Sequence, residues 1–348
     1  MATPTPDELL LTACAYGDLE ESRTLLSSED ADAAYHDDQG RTPLFVAAER
    51  GHLALVQLLV ENGAPWNLLD ESGQTAAERA MAAGFLETYE WLVSEGVRAE
   101  RLFAALRAMG MVPAQPETNA DYLQQKLVYS ADGERLLDEH QNGVMMGWER
   151  PIMRATVDAL CGGKSGLRVL NVGFGLGIID SMLQATLPTA HHIIEAHPDV
   201  LAHIAAHPTF GSSNPTVTVH AGTWRSVVPD LLASGQKFDA IYFDTYAEYY
   251  SDNAEFHDAA ASLLAPGGRY SWFHGQGASN AVFNEVYRRI ADADVEALGL
   301  VVEWTQMEMA PLGDAVWNGI RLNYFSLDHY WLPVATKPAS SSSDPAQQ

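Results

Sequence analysis

The feature that most constrains the fold is an alternation of buried strand-like runs and helical stretches between about residue 144 and residue 335. Seven such runs stand out: LRVLNVGF, AHHIIEAH, TVTVHAG, FDAIYFDT, GGRYSWFH, GLVVEWTQMEM and NYFSLDHYWLPV. Apolar strands separated by helices favour an α/β fold, in which a mostly parallel sheet is covered on both faces. The last two runs have no obvious helix between them, so we expect an antiparallel pair at one edge of the sheet.

The first run leads directly into a glycine-rich loop, Gly173-Phe174-Gly175-Leu176-Gly177, and a helix is expected to begin near Ile178. Glycines at such a crossing let the backbone approach a ligand that faces the N-terminal amides of the helix. The second run ends in Glu195, where a carboxylate can accept both hydroxyls of a ribose. Together these features predict a nucleoside cofactor, and a sulfonium-bearing adenosine fits as well as a nicotinamide dinucleotide.

Later segments extend this pattern. Trp224 follows the third run and could lie against an adenine ring, although a buried core is the commoner place for a tryptophan. Asp239 stands at the entry to the fourth run, and we expect a structural role for it. The run ends with Asp244 at the carboxyl edge of the sheet, where open α/β sheets bind their ligands. Residues 264–268, LAPGG, predict a turn into the fifth strand. This order of motifs resembles that of class I methyltransferases.

A repeat of 33 residues occupies the N-terminal part of the chain. The residues offset by 33 are the pairs Gly40 and Gly73, Thr42 and Thr75, and Gly51 and Gly84. This offset is the ankyrin period, and the upstream stretch ELLLTACAYGDLEESRTLLSS predicts a degenerate first repeat. An all-α ankyrin-repeat module is therefore expected to precede the α/β domain.

Changes in composition predict the domain boundaries. We expect the ankyrin module over residues 1–108 and a linker over residues 109–120, where prolines interrupt the helical pattern. The second domain then spans residues 121–337 and begins with a hairpin around Asp132 and Gly133, which could serve as a lid. The low-complexity residues 338–348 are expected to be disordered.

The charge balance is strongly acidic. The chain has 46 acidic and 20 basic residues, a formal net charge of −26. This sign argues against nucleic-acid binding and against anionic membranes, and it suits a basic protein substrate, although solubility alone would also explain it. The absence of a long apolar run and of a signal-peptide pattern favours a cytoplasmic location, with access to the nucleus also open.

The sequence gives no reason to expect a metal or a disulfide framework. Cys14 and Cys161 are far apart and are interpreted as buried or unreactive thiols. The histidines, including His191, His192 and His197, have no spacing typical of metal ligands.

A segment ahead of the glycine loop narrows the family. Residues 144–153 read VMMGWERPIM, and together with VLNVGFGLGIID, IIEAH and YFDTY they resemble guanidinoacetate methyltransferase. The chain is still more similar to the fungal type IV protein arginine methyltransferases, which also carry ankyrin-like repeats, so the resemblance covers nearly all of it except the tail. It implies a class I methyltransferase fold and transfer of a methyl group from S-adenosyl-L-methionine to the δ (N5) nitrogen of arginine.

The resemblance also implies site residues and a partner. Glu149 and Asp244 would be catalytic and would hold the guanidine. The positions implied to contact the cofactor are Tyr129, Met145, Met153, Phe174, Gly175, Leu176, Gly177, Ile178, Ile179, Glu195, Ala196, His197, Thr223, Trp224 and Asp244. The partner would be a basic protein with an accessible arginine, and ribosomal proteins are among the candidates. His197 is expected to contact the adenosine through its backbone.

Two carboxylates suit the reaction, because a guanidinium has a pKa above about 12 and no free lone pair. They can fix the group and accept its proton. We assign Asp244 as the proton acceptor and Glu149 as the orienting clamp, although the two roles could be exchanged.

Two alternatives stay open at this point, a methyltransferase for a small guanidine such as guanidinoacetate and a catalytically silent ankyrin scaffold. Asn171 replaces the acidic residue that precedes the glycine loop in guanidinoacetate methyltransferase, which weakens the first alternative. The second repeat lacks the Thr-Pro turn of the first, which leaves a binding role of the repeats open.

Overall fold

The computed structural model describes residues 3–28, 30–38, 40–113, 119–211, 214–246 and 248–339. The chain divides into two compact units, one of Met1–Pro113 with Gln276–Ile290 and one of Ala114–Gly275 with Ala291–Gln348. Within the predicted linker and tail, residues 114–118 and 340–348 lie outside the described residues. No helix in the described ranges is long and apolar enough to cross a membrane.

The first unit contains three pairs of helices at the spacing that the repeats predict. They are α1 (Pro6–Tyr16), α2 (Leu19–Ser27), α3 (Pro43–Glu49), α4 (Leu53–Glu61), α5 (Ala76–Ala82) and α6 (Leu86–Ala108). Leu58 and Leu59 of α4 are buried, as expected for residues that hold neighbouring repeats together.

Threonine caps begin the first helix of each of the two clear repeats. The hydroxyl of Thr42 accepts a hydrogen bond from the Phe45 amide at 3.1 Å, and Pro43 follows it at the first helical position. Thr75 has no proline after it but forms a capping box: its hydroxyl accepts from the Glu78 amide at 3.2 Å, and the Glu78 carboxylate accepts from the Thr75 amide at 2.7 Å. The capping box therefore starts α5 where the Thr-Pro turn is missing.

Residues 276–290, distant in sequence, belong to the same unit and contain the first part of helix α13 (Ala281–Ala297). The amide nitrogen of Asn280 donates to the Glu78 carboxylate at 2.8 Å, and the rings of Phe283 and Trp66 meet edge to face at 5.8 Å. Val286 is fully buried. The boundary predicted at residues 109–120 does not account for this segment.

The second unit contains two sheets. The smaller is a three-stranded antiparallel sheet of β1 (Val128–Tyr129), β2 (Arg135–Leu137) and β3 (Gly143–Met146). The predicted hairpin is confirmed, since β1 and β2 flank the turn at Asp132 and Gly133, where Gly133 has a φ of 73°.

The larger sheet has seven strands in the order β6-β5-β4-β7-β8-β10-β9. Its strands are β4 (Arg168–Val172), β5 (Ala190–Glu195), β6 (Val217–Ala221), β7 (Phe238–Phe243), β8 (Leu264–Trp272), β9 (Val301–Glu308) and β10 (His329–Thr336). The first five strands are parallel, and β10 is antiparallel to both β8 and β9. The predicted α/β class with an antiparallel edge is confirmed.

The described helices of this unit are α7 (Asn119–Tyr122), α8 (Arg150–Cys161), α9 (Ile178–Ala185), α10 (Pro198–Ala206), α11 (Trp224–Ala233), α12 (Tyr250–Leu263), the remainder of α13 and α14 (Asp314–Trp317). Successive residues of β4 alternate between two buried clusters, with Leu170 in one and Val169 in the other. The central strands are therefore apolar on both faces, as parallel strands covered on two sides require.

One local prediction is wrong. The segment from Leu264 to Gly268 does not make a turn ahead of the fifth strand but forms the first part of β8. The pairing of β8 with β7 shifts register between Phe238 and Ala240, and Gly267 has a φ of 76°. The glycines thus mark an irregularity inside the strand, which is a common place for glycine.

Candidate active site

Two acidic side chains meet at the carboxyl edge of the larger sheet. Glu149 closes a 3₁₀ turn (Gly147–Glu149) just before α8, and Asp244 directly follows β7. The Asp244 amide donates to the Val172 carbonyl at 2.9 Å, which fixes this acid beside the end of β4. The sequence predicted both residues as catalytic, and the structure brings them close enough for the charge of one to affect the pKa of the other.

The surroundings of this pair favour the uncharged forms. Burial, and then the charge of Asp244, raise the pKa of Glu149 to about 8, although hydrogen bonds from Tyr324 and the Met146 amide lower it. Burial raises the pKa of Asp244 to about 7, and its contact with the Tyr242 hydroxyl lowers it. A bound cation would strongly stabilise the ionised forms of these two carboxyl groups. It would offset both their loss of hydration and their mutual repulsion.

Specific contacts hold each acid in place. Glu149 is only 4% exposed and accepts hydrogen bonds from the Met146 amide, at 3.1 Å, and from the Tyr324 hydroxyl. The Tyr242 hydroxyl lies 3.4 Å from Asp244 Oδ2. Asp244 keeps some accessible surface. Glu149 is therefore the more rigidly held acid and Asp244 the more accessible one.

The glycine loop lies next to this pair. A Cβ at Gly173, whose φ is 92°, would come within 1.9 Å of the Asp244 carbonyl oxygen. At Gly175 a Cβ would meet Met145 Sδ at 2.6 Å, and at Gly177 it would meet the Phe174 ring at 2.5 Å. The sequence suggested these glycines for close approach to a ligand. The structure adds that contacts inside the protein already require them.

Side chains of the small sheet cover this loop. The Tyr129 hydroxyl donates to the Gly175 carbonyl at 3.1 Å, and its ring stacks on His203 with centroids 4.2 Å apart. The Leu176 amide donates to Met145 Sδ at 3.2 Å. Tyr129 and Met145, the two residues of this sheet that were predicted to contact the cofactor, therefore contact the glycine loop.

Glu195 ends β5, as predicted, and binds backbone amides. Its carboxylate accepts from the amides of Phe174 at 2.9 Å, Ala196 at 2.8 Å and His197 at 2.7 Å. Burial raises its pKa, and these amides lower it. A carboxylate has about four lone-pair sites, so capacity for a further donor such as a ribose hydroxyl is left.

The other predicted cofactor positions divide by exposure. Leu176, Ala196 and Thr223 are partly exposed at this edge, and Thr223 also caps α11 through the Ser226 amide at 3.3 Å. A second set is buried in the core: Met153, Phe174, Ile178, Ile179 and His197. These can reach a ligand mainly through backbone atoms or by shaping the wall of the site.

Trp224 is also in the core. Its ring meets Phe243 and Phe256 edge to face, at 6.1 and 5.3 Å, and its Nε1 donates to Glu248 at 3.1 Å. This matches the core placement that we considered commoner for a tryptophan. Its predicted contact with an adenine ring stays a prediction.

Sequence reasoning missed several polar groups of the site. Tyr122 stacks obliquely between His197, at 5.0 Å, and Tyr246, at 4.9 Å. Its pKa is raised by burial and then by the charge of Glu195, which places this ring near the predicted ribose-binding acid. Tyr324 lies far along the chain from Glu149. Single tyrosines outside any motif or periodic pattern carry no signal by which they could have been chosen.

Comparisons with known proteins match both the repeats and the second domain of this chain. A family model of ankyrin repeats matches residues 10–101 in three copies, and the model of guanidinoacetate N-methyltransferase matches residues 118–293. A protein from Aspergillus oryzae named protein arginine N-methyltransferase 2 is 37% identical over 81% of this chain and 77% of its own length. Proteins of the same name from Cryptococcus neoformans and Neurospora crassa are 36% and 31% identical. The former alignment covers 89% of this chain and 90% of the relative, and the latter 96% of each.

These matches span both the repeats and the catalytic domain, and the resemblance drawn from the motifs is confirmed. The seven-stranded sheet with its antiparallel edge is that of a methyltransferase that follows an ankyrin module. The chain belongs to the protein arginine N-methyltransferase 2 family.

Proposed function

We propose that this protein transfers a methyl group from S-adenosyl-L-methionine to the δ nitrogen of an arginine in a basic protein. The observation that carries the proposal is the pair of neighbouring carboxyl groups, Glu149 and Asp244, next to the glycine loop. Arginine methylation is the activity in the names of the relatives, and these relatives match along the ankyrin repeats as well. That match favours a protein substrate over a small guanidine, and the intact acid pair argues against a silent scaffold.

The residues at the carboxyl edge suit the cofactor. The loop from Gly173 to Gly177 crosses from β4 into the N-terminus of α9, and Glu195 has acceptor capacity for a ribose hydroxyl. Tyr129 and Met145 would cover the bound cofactor, since both contact the loop. When bound, S-adenosylmethionine supplies the electrophilic methyl group.

The two acids would divide the remaining work. Glu149 is fixed by two donors and would orient the guanidine through charge-assisted hydrogen bonds. Asp244 would accept the proton that leaves the guanidine, because a base with a pKa near 7 is well matched to neutral pH. Holding the terminal nitrogens with two carboxylates leaves the δ nitrogen as the one presented for methylation. Alignment of this kind can contribute on the order of 7–11 kcal/mol to lowering the barrier.

The test is methyl transfer from labelled S-adenosylmethionine to a basic protein extract and, in parallel, to guanidinoacetate. The wild type should label protein, and acid hydrolysates should contain δ-methylarginine. Asp244→Asn should lose nearly all of this label. Asp239→Asn is the matched control: Asp239 lies near the start of β7, the strand that Asp244 follows, and accepts from Arg168 Nε at 3.1 Å and from Arg168 Nη2 at 2.8 Å.

Each outcome has a separate meaning. Label only in guanidinoacetate would make the enzyme a small-molecule methyltransferase, and label at a terminal guanidine nitrogen would refute the δ assignment. No turnover with any guanidine would favour the scaffold alternative. We also propose a cytoplasmic location with access to the nucleus, and ribosomal proteins as candidate substrates, since they are basic and would be attracted by a charge of −26.

A further inference from the structure

A group of buried polar side chains lies behind the glycine loop, and the proposed reaction does not use it. Asn171 of β4, Asp180 of α9 and His191 of β5 are all fully buried. The Asn171 amide nitrogen donates both to the Gly173 carbonyl and to Asp180 Oδ2, each at 2.8 Å. Asp180 Oδ1 lies 3.0 Å from His191 Nε2.

The hydrogen bonds continue away from the loop. His191 Nδ1 lies 3.0 Å from Gln184 Oε1, and the Gln184 amide nitrogen lies 3.1 Å from the Thr216 hydroxyl. That hydroxyl is 2.8 Å from Asn214 Oδ1, which also accepts from the Thr216 backbone amide at 3.1 Å. The chain of side chains therefore runs from the start of β6 to the glycine loop.

Backbone groups at the two ends fix the direction of this chain. The Thr216 amide can only donate, so Asn214 presents oxygen, the Thr216 hydroxyl donates to it, and Gln184 must turn its nitrogen to Thr216. The oxygen of Gln184 then faces His191 Nδ1, which must carry a proton. At the other end the Gly173 carbonyl can only accept, so Asn171 presents nitrogen. One proton is left to be shared between His191 and Asp180.

The loop peptide at the end of this chain is held from both sides. The Gly173 carbonyl and the Phe174 amide belong to one planar peptide group. Asn171 binds the carbonyl, and Glu195 accepts from the amide at 2.9 Å. If the carbonyl rotated, the amide would turn away from the acid that is predicted to bind the ribose.

We propose that Asp180 is a positioning residue for the cofactor: through Asn171 it fixes the peptide between Gly173 and Phe174 and so the geometry of the glycine loop and Glu195. The inference rests on the proposed function, since it assumes that this loop binds S-adenosylmethionine. Among the described residues, Asn171 Oδ1 has no hydrogen-bond partner. This agrees with the inference, because it is the side-chain N–H groups of Asn171 that hold the loop and Asp180.

The test is the dissociation constant of S-adenosylhomocysteine, measured by calorimetry on the full chain without a methyl acceptor. Asp180→Leu should raise it about tenfold or more, because the Asn171 N–H loses an acceptor and the peptide is released. Asp180→Asn should stay within about twofold of the wild type: its oxygen can accept from Asn171, and its nitrogen can donate to an unprotonated His191 Nε2. In kinetics, Asp180→Leu should raise KM for the cofactor and leave KM for the protein acceptor unchanged.

Two further variants keep the test decisive. Leu183→Ala, a cavity on the same helix with no part in the chain of hydrogen bonds, should lower the melting temperature but leave the dissociation constant within about twofold. If Asp180→Leu does not fold, Asn171→Leu carries the test. Leucine has a similar size but no N–H for the Gly173 carbonyl, and the substitution should weaken binding about tenfold or more.

Three results would overturn the inference. They are unchanged binding in a folded Asp180→Leu or in a folded Asn171→Leu, an equal loss of binding in Leu183→Ala, or nitrogen-15 NMR that finds His191 Nδ1 without a proton. If the wild type fails to bind S-adenosylhomocysteine, the proposed function itself is refuted. If the wild type binds it and Asp180→Leu binds it equally well, only the role of Asp180 is refuted.

Discussion

The hydroxyl of Tyr324 offers a direct test of the acid pair. It donates to Glu149 Oε1, one of the two hydrogen bonds that lower the pKa of this buried acid. Tyr324→Phe removes the hydroxyl and keeps the ring between Trp148, with centroids 5.7 Å apart, and Trp317, at 5.3 Å. The substitution therefore changes the charge balance of the site with little change in packing.

The size of the effect follows from the strength of the lost bond. A hydrogen bond to a charged group contributes about 1.5–3 kcal/mol, and each pH unit corresponds to about 1.4 kcal/mol. Because the hydroxyl stabilises the ionised form, its loss raises the pKa of Glu149 further above about 8. The rising limb of kcat/KM should move to higher pH by about 1–2 pH units, and activity at about pH 7 should fall roughly 10- to 100-fold.

The assay is kcat/KM for methyl transfer to protein between about pH 6 and pH 9. In the wild type, the rising limb of this profile should give apparent pKa values that belong to Glu149 and Asp244 together. Tyr250→Phe is the control, since it removes a hydroxyl that donates to Asp294 at 2.9 Å. Superimposable profiles for wild type and Tyr324→Phe would refute the reasoning. A loss of activity with no movement of the limb would mean that the hydroxyl acts sterically and does not stabilise the charge of Glu149.

Two further predictions follow from the same site. Binding of an arginine peptide should release protons at about pH 7 and none at about pH 9. The reason is that the cation favours the ionised forms of Glu149 and Asp244, whose pKa values are raised to about 8 and 7. Calorimetry in buffers of different ionisation enthalpy measures the proton release, and equal release at both pH values would contradict the prediction. Gly173→Ala should lower the stability of the fold by more than the roughly 1–3 kcal/mol that a strained φ costs, since its Cβ would lie 1.9 Å from the Asp244 carbonyl oxygen. Gly163→Ala, at a φ of 72° with open space around it, should show only the cost of the strained φ. Thermal unfolding compares the two variants, and equal losses of stability would contradict the prediction.

Most of the fold could be predicted because its signals are local. The apolar runs of β4 and β7 are buried on both faces, so hydrophobicity alone identifies them as central parallel strands. The 33-residue offset identifies the repeats in the same way. The segment from Leu264 to Gly268 misled the analysis because glycine and proline usually interrupt strands. Here pairing with β7 continues through a register shift that only the tertiary structure reveals.

The site was predictable to the extent that its residues stand at the ends of strands. Asp244 and Glu195 follow β7 and end β5, and topology alone brings such positions to one edge. Glu149 came only from the resemblance to a family, since it precedes the sheet in a 3₁₀ turn. Tyr324 and Asp180 could not be predicted. The first reaches Glu149 from a loop far along the chain, and the second acts through a chain of hydrogen bonds whose direction depends on backbone groups at its two ends.

The composition of the first unit changes how a role for the ankyrin repeats can be tested. Residues 276–290 belong to the same unit as the repeats: Val286 lies against Gly96 of α6, and Asn280 binds Glu78. Removing residues 1–108 would uncover Val286, and the burial of such a side chain is worth about 1.5–3 kcal/mol. A chain that begins near residue 115 would then lose stability whether or not the repeats bind substrate, so its loss of activity would not report docking. Only substitutions of exposed side chains in an intact repeat array can separate the two roles, because they leave Val286 covered.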